Sequence, residues 1–150
     1  MTKVRIIRAT PQHCEVLSAL HSTSFSKPWS KESFAALLEQ PGVAAWISKD
    51  NEPNGFILLR SAGDESEILT LAVAPNYRRA GLGTLILKTA FDALQASGTK
   101  TMFLEVSVQN PKACGLYRKF GFSPKGTRPA YYSNKNTGAA ADAIIMTKAL

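Results

Sequence analysis

Two cysteines and two histidines are too few and too scattered for the chemistry those residues usually carry. Cys14 and Cys114 lie far apart on segments that read as helices, with no second ligand beside either. Neither a disulfide nor a metal site is predicted; they read as small core or half-exposed thiols of a reducing cytosol. His13 and His21 have no catalytic neighbour in sequence and read as plain helix residues. No run of about 18 apolar residues occurs, which excludes a membrane-spanning helix. The first eight residues, Met1-Thr2-Lys3-Val4-Arg5-Ile6-Ile7-Arg8, alternate instead of forming an apolar core. No export signal is therefore expected, and a cytoplasmic location is. The P-loop pattern Gly-x-x-x-x-Gly-Lys-Ser/Thr is missing, as is the dinucleotide fingerprint Gly-x-Gly-x-x-Gly. Repeats, linkers and low-complexity tracts are missing too. The 150 residues read as one domain, 1–150, long enough to bury roughly 68–70% of the surface of the unfolded chain.

Acidic residues are the other scarcity. Eighteen Lys and Arg stand against eleven Asp and Glu, a formal charge of +7. Between Glu105 and Asp142 there is no carboxylate, while Lys112, Arg118, Lys119, Lys125, Arg128 and Lys135 all fall there. A basic surface attracts a phosphate-rich ligand or partner, with RNA one candidate and a merely solvated face the bland alternative.

What the chain does have is the stretch Asn76-Tyr77-Arg78-Arg79-Ala80-Gly81-Leu82-Gly83-Thr84. An apolar strand, Ile68 to Val73, runs into it and stops at Pro75, which has no N–H for a ladder. An amphipathic helix runs out of it, with Leu82, Leu85, Ile86, Ala90, Ala93 and Leu94 on one face and Gly98 as a stop. Glycines let successive N–H groups converge, and a helix N-terminus adds partial positive charge. Such a turn suits a pyrophosphate. The same residues also make an ordinary tight turn.

The remaining segments alternate in type. Val4 to Arg8 reads as a strand, and Thr10-Pro11 opens a helix with Val16, Leu17 and Leu20 buried. Ser30 caps a second helix with Phe34, Leu37 and Leu38 inward, ended by Pro41-Gly42. Val43 to Ser48, Phe56 to Arg60 and Glu65 to Val73 form an antiparallel meander, its first turn placed on Asp50 to Gly55 through the Asn54-Gly55 pair. Thr101 to Val106 follows a helical crossover and should lie parallel to the preceding strand. Asn110-Pro111 opens a last helix with Ala113, Leu116, Tyr117 and Phe120 inward and Gly121 as its end. Phe122 through Tyr131-Tyr132 and Ala143 to Thr147 are the final strands, joined by a turn at Asn134 to Gly138. The predicted fold is mixed α/β: a mostly antiparallel central sheet with one parallel strand pair and helices on both faces.

Glu105 stands in the otherwise apolar Phe103-Leu104-Glu105-Val106, and a carboxylate is costly to bury without a reason. It could instead face solvent or pair with an arginine. Asn110 could be a helix cap and nothing more. Tyr117 could be core, although a buried phenol needs a hydrogen-bond partner.

The order strand, Arg78-Arg79-x-Gly81-x-Gly83, helix resembles the acetyl-CoA pyrophosphate loop of the GCN5-related N-acetyltransferases (GNAT). Further pieces in the same order are similar to the bacterial ribosomal-protein-alanine N-acetyltransferases of that superfamily. These are Phe25 with Pro28-Trp29-Ser30, Leu71-Ala72-Val73-Ala74-Pro75, Leu104-Glu105-Val106, Asn110 with Ala113, and Leu116-Tyr117 with Gly121-Phe122. Arg128 with Tyr131-Tyr132, and Asp142-Ala143-Ile144-Ile145-Met146, complete the set. One departure is Gly138-Ala139-Ala140-Ala141, a segment that is more acidic in such relatives, which bears on substrate choice.

The resemblance implies the GNAT fold, acetyl-CoA as cosubstrate with no metal, and direct transfer to a protein N-terminal amine, that of the N-terminal alanine of a ribosomal protein. Coenzyme A, with its pyrophosphate and ribose phosphate, would then be sufficient cause for the basic surface. Glu105 matches the general base and Tyr117 the residue that protonates the leaving thiolate. The backbone of Leu71, Ala72 and Val73 should bind pantetheine, and Arg78, Arg79, Ala80, Gly81, Leu82, Gly83 and Thr84 the pyrophosphate. Asn110 should also contact the cofactor. Trp29, Tyr131 and Tyr132 are the expected substrate-binding residues. No membrane or direct nucleic-acid contact is needed, and a monomer is expected. Three other readings stay open: an acetyltransferase for a small amine or a lysine side chain, a non-catalytic acyl-CoA-binding module, and an RNA- or ribosome-binding domain. The pairing of Glu105 with Tyr117 argues against the second, and the lack of an RNA motif against the third.

Overall fold

Alternating burial along Glu65–Val73 places this strand, β4, in the middle of a sheet covered on both faces. The computed structural model describes residues 4–78, 81–133 and 140–150, with side chains outside 128–133 and 140–141. In chain order the strands are β1 (Arg5–Arg8), β2 (Val43–Lys49), β3 (Pro53–Ala62), β4, β5 (Thr101–Ser107), β6 (Ser123–Ser133) and β7 (Ala140–Ala149). The helices are α1 (Cys14–Ser22), α2 (Lys31–Glu39), α3 (Leu82–Ala96) and α4 (Pro111–Lys119). The strands lie in the order β1-β2-β3-β4-β5-β7-β6. Every neighbouring pair is antiparallel except β4 and β5, which the α3 crossover makes parallel. Among the described residues no helix is long and apolar enough to cross a membrane.

Two cores result. On the first face, α3 and α4 bury Ile86, Leu87, Ala90 and Tyr117 against Ile57, Leu59, Ile68, Met102, Leu104 and Val106. On the second, α1 and α2 bury Leu17, Leu20 and Phe34 against Ala45, Ile47, Phe56, Leu58 and Ala72. The buried stripe of α3 is Leu82, Ile86, Leu87, Ala90, Phe91 and Leu94, whereas Leu85, expected inward, is exposed. At about 100° per residue Leu85 falls about 140° round the helix from Ala90, which lies at the middle of that stripe.

The Asn54-Gly55 pair is not the turn that the dipeptide suggests. Both residues belong to β3, and Asn54 is fully buried. The chain reverses earlier, where the Asp50 carboxylate accepts the N–H groups of Asn51 and Glu52. Two tertiary contacts override the local preference: Ser48 Oγ donates to Asn54 Oδ1 at 2.7 Å, and Ala74 N–H donates to the Asn54 carbonyl at 2.8 Å. Gly55 is required there, because a Cβ would lie 2.9 Å from Ile86 Cδ1 and 3.1 Å from the Ala72 carbonyl oxygen.

The β4–β5 ladder runs from Glu65↔Thr101 to Ile68↔Leu104 and ends, although both strands continue, to Val73 and Ser107. A slot opens between their C-terminal ends, the usual place for a ligand in a sheet with parallel strands. The β3–β4 ladder shifts register at the same level: Leu58 faces Thr70 while Leu59 faces Ile68, so Leu69 is the extra residue of a bulge. A bulge resets which residues face which side. Ile68 and Leu71 therefore both join the first core, while Leu69 and Ala72 join the second.

Candidate active site

Glu105 lies just past the last β4–β5 pair, where the slot begins. Its neighbours Leu104 and Val106 point into the first core, so strand alternation turns Glu105 to the second face, where it is half-buried. Tyr117 lies on the opposite face of the sheet. It is a buried residue of α4 in the first core, its ring edge-on to Phe122 with centroids 5.7 Å apart. The carboxylate and the phenol thus flank the sheet from its two faces, a relation that spacing along the chain does not reveal.

The glycine loop meets α3 beside the end of β4. Gly81 adopts φ +80°, a conformation costly to any residue with a Cβ, and among the described residues a Cβ there would meet no atom within 4 Å. Gly83 is different. It is helical, and a Cβ there would come within 3.2 Å of Leu116 Cδ2, so its missing side chain lets α4 approach α3. Leu82 is core, and Thr84 is exposed in the first turn. Arg79 and Ala80 lie outside the described residues.

Arg78 does more than flank the loop. Its Nε donates to the Val73 carbonyl at 3.0 Å, and a terminal nitrogen donates to the Thr23 carbonyl at 3.3 Å and to Ser24 Oγ at 2.9 Å. Asn110 caps α4, its side-chain oxygen accepting the Ala113 N–H at 3.2 Å. Leu71 and Val73 pack toward the first face and Ala72 toward the second, which leaves the β4 backbone between them as the edge of the slot.

A profile of the acetyltransferase (GNAT) family matches residues 14–122. The chain belongs to this family. A protein of Bacillus subtilis (strain 168), provisionally named a ribosomal protein bS18-alanine N-acetyltransferase, is 32% identical over 147 residues, 97% of this chain and 95% of its own length. The crystal structure of the ribosomal-protein-S18-alanine N-acetyltransferase from Escherichia coli superposes with a TM-score of 0.91 at 27% identity, covering 98% of this chain and 94% of that one. NAA60 of Arabidopsis thaliana in complex with acetyl-CoA shares the fold, with a TM-score of 0.85 at 17% identity and 99% of each chain covered.

In this GNAT acetyltransferase the expected substrate-binding residues fare unevenly. Trp29 is half-buried between α1 and α2, stacked on His21 with centroids 4.9 Å apart. Tyr131 and Tyr132 belong to β6, but their side chains lie outside the described residues, as do residues 134–139, on which the expected Asn134 to Gly138 turn falls. His21, read as a plain helix residue, is a core residue only 2% exposed, stacked on Phe25 at 4.2 Å as well as on Trp29. Its Nδ1 accepts the Trp29 N–H at 3.1 Å, which places the ring proton on Nε2. Burial pushes this imidazole down to about 4. The cluster Phe25, Trp29 and Phe34 around His21 was a usable signal. The bulge before Thr70 had none, because β-bulges leave no periodic trace in a single strand.

Proposed function

We propose that this chain transfers an acetyl group from acetyl-CoA to the N-terminal α-amino group of a ribosomal protein, the alanine of bS18 in the host cell, by direct attack. The observation that supports the reading is the placement of Glu105, just past the last β4–β5 pair, and Tyr117 on opposite faces of the sheet. A protein α-amino group, with a pKa of about 7.7–8.0, is mostly ammonium at neutral pH and must lose a proton before it attacks a thioester. Glu105 takes that proton from the second face. Attack creates an oxyanion, which a backbone N–H on the β4 edge between Leu71 and Val73 stabilises. Collapse expels the thiolate on the first face, where Tyr117, a phenol that keeps its proton at neutral pH, protonates it. Charge moves across the slot, and neither Cys14 nor Cys114 is needed as a nucleophile.

The β4 backbone binds pantetheine nearly as an added strand. The amides of Gly81 to Thr84 hold the pyrophosphate at the α3 N-terminus, together with Arg79 and Ala80. Asn110 orders the start of α4 beside the cofactor, and Trp29, Tyr131 and Tyr132 line the approach of the acceptor peptide. The names of the similar bacterial proteins support the choice of acceptor.

The test is mass spectrometry of acetyl transfer to a bS18 N-terminal peptide, to peptides with other first residues, to a lysine-bearing blocked peptide and to spermidine. Alanine-first peptides should be modified fastest, and Glu105→Gln should lower turnover by roughly 10²–10⁴-fold while coenzyme A affinity is kept. Preference for spermidine or lysine would move the enzyme to the other acceptor classes. Tight coenzyme A binding with no transfer would make it a binding module.

A further inference from the structure

Arg78 begins the glycine loop, yet among the described residues its guanidinium bonds two other segments of the chain. On one side Nε donates to the Val73 carbonyl at 3.0 Å. That carbonyl faces away from β3, because Ala74 donates its N–H to the Asn54 carbonyl of β3 and successive residues of a strand send their polar groups to opposite edges. On the edge of β4 away from β3, pairing with β5 has already ended at Ile68. Arg78 is therefore anchored on the rim of the slot. On the other side a terminal nitrogen donates to the Thr23 carbonyl at 3.3 Å and to Ser24 Oγ at 2.9 Å. Thr23 is the C-cap of α1, where carbonyls without a helical partner carry partial negative charge. A planar, rigid cation with several donors holds both segments at a fixed spacing, which a lysine ammonium on a flexible stem does not.

What this clamp places is the connection 23–30 between α1 and α2. It starts one guanidinium away from the β4 edge and follows a helix of the second face, the face to which Glu105 turns. Phe25 comes directly after Ser24 and is 37% exposed, unusual for so large an apolar side chain. Its ring stacks on His21 with centroids 4.2 Å apart. His21 in turn accepts the Trp29 N–H at 3.1 Å, and Ser18 Oγ donates to the Trp29 carbonyl at 2.7 Å. The connection is thus fastened to α1 at both ends, and Arg78 fastens the end of α1 to the slot.

We propose that Arg78 is a positioning residue for the acceptor: its clamp between Val73 and residues 23–24 holds Phe25 where the ring meets the acceptor peptide beyond its first residue. This rests on the reading that the acceptor's amine is taken at Glu105. Arg78 touches neither the acceptor nor the reacting atoms; it acts through Phe25. The arginine that opens the cofactor loop then serves the other substrate, and its guanidinium is already committed to protein acceptors instead of phosphate oxygens.

Arg78→Gln, Arg78→Lys, Phe25→Ala and the double variant Arg78→Gln/Phe25→Ala are compared with the parent at saturating acetyl-CoA. Each is assayed for transfer to an alanine-first peptide and to alaninamide, which has nothing beyond its first residue. Arg78→Gln should raise KM for the peptide by about 10-fold with kcat within about 3-fold of the parent's, the pattern of a lost binding contact. Its kcat/KM for alaninamide should change by less than about 3-fold. A loosened fold or a weakened cofactor site would lower both acceptors alike. Arg78→Lys should behave as Arg78→Gln does, since it keeps the charge and loses the two-sided clamp. Phe25→Ala should give the same peptide-selective loss, and the double variant should be no worse than Phe25→Ala, because the two residues act as one. A parental peptide KM in Arg78→Gln, additive losses in the double variant, or equal loss with both acceptors overturns the proposal and leaves the transferase reading intact. Where the parent is inactive on alaninamide, additivity with the peptide decides. Full activity of Glu105→Gln beside a raised peptide KM in Arg78→Gln removes the base assignment alone and retains the clamp. A parent that acetylates neither acceptor overturns both.

Discussion

Arg78 donates to Ser24 Oγ at 2.9 Å across 54 positions of chain, while its Nε holds the carbonyl of Val73 at 3.0 Å. The first arginine of the glycine loop therefore ties the end of β4 to the turn after α1. Arg78→Gln removes this tie without touching the left-handed turn at Gly81. It should lower stability by about 1 kcal/mol, because the bonds are exposed. It should weaken coenzyme A binding less than a substitution at Gly81 does. Calorimetry showing the larger loss at Arg78 would return its guanidinium to the phosphates.

His21 makes the fold sensitive to acid. Its folded value of about 4 lies below the 6.5 of the free imidazole. Between those values the unfolded chain binds a proton that the folded one does not, so stability falls as pH drops from 6.5 toward 4 and is fully present above 6.5. The loss should reach about 3 kcal/mol at the acid end. Denaturant midpoints across this range should slope for the parent and flatten for His21→Phe. A parent with no slope over this interval would refute the buried neutral imidazole.

Gly81 and Gly83 should respond differently to enlargement. Gly81→Val forces a β-branched residue into φ +80° at the turn and should weaken coenzyme A binding sharply, with stability reduced by about 1 kcal/mol or more. Gly83→Val instead presses on Leu116 and shifts α4, which carries Tyr117. Its unfolding midpoint and turnover should fall together. Equal effects on affinity at both sites would show that the two glycines serve one purpose.

Tyr117→Phe keeps the ring against Phe122 and deletes the hydroxyl. If the phenol protonates the leaving thiolate, transfer should fall while an acyl donor with a more acidic thiol recovers much of the rate. Packing and cofactor binding do not depend on thiol acidity. An equal loss with both donors would remove the acid role from Tyr117.

Strand alternation, helix stripes and capping residues were legible because each depends on neighbours within a few positions. Ser30 accepts the Ser33 N–H at 3.1 Å, Asn110 caps α4, Gly98 and Gly121 end their helices with positive φ, and β5 runs parallel to β4, all as local chemistry required. Glu105 stood out as a carboxylate in an apolar strand, and the glycine loop as a turn between strand and helix. From the sequence alone came the element order, the parallel pair and the residue types of the site. Tertiary structure decided the rest: that Glu105 and Tyr117 lie on opposite faces of the sheet, that Asn54-Gly55 is strand instead of turn, that His21 is core, and that Thr70 faces the second side. Each of these depends on a contact between distant segments or on one extra residue in a ladder. Neither leaves a period or a propensity in the chain that local reading can detect.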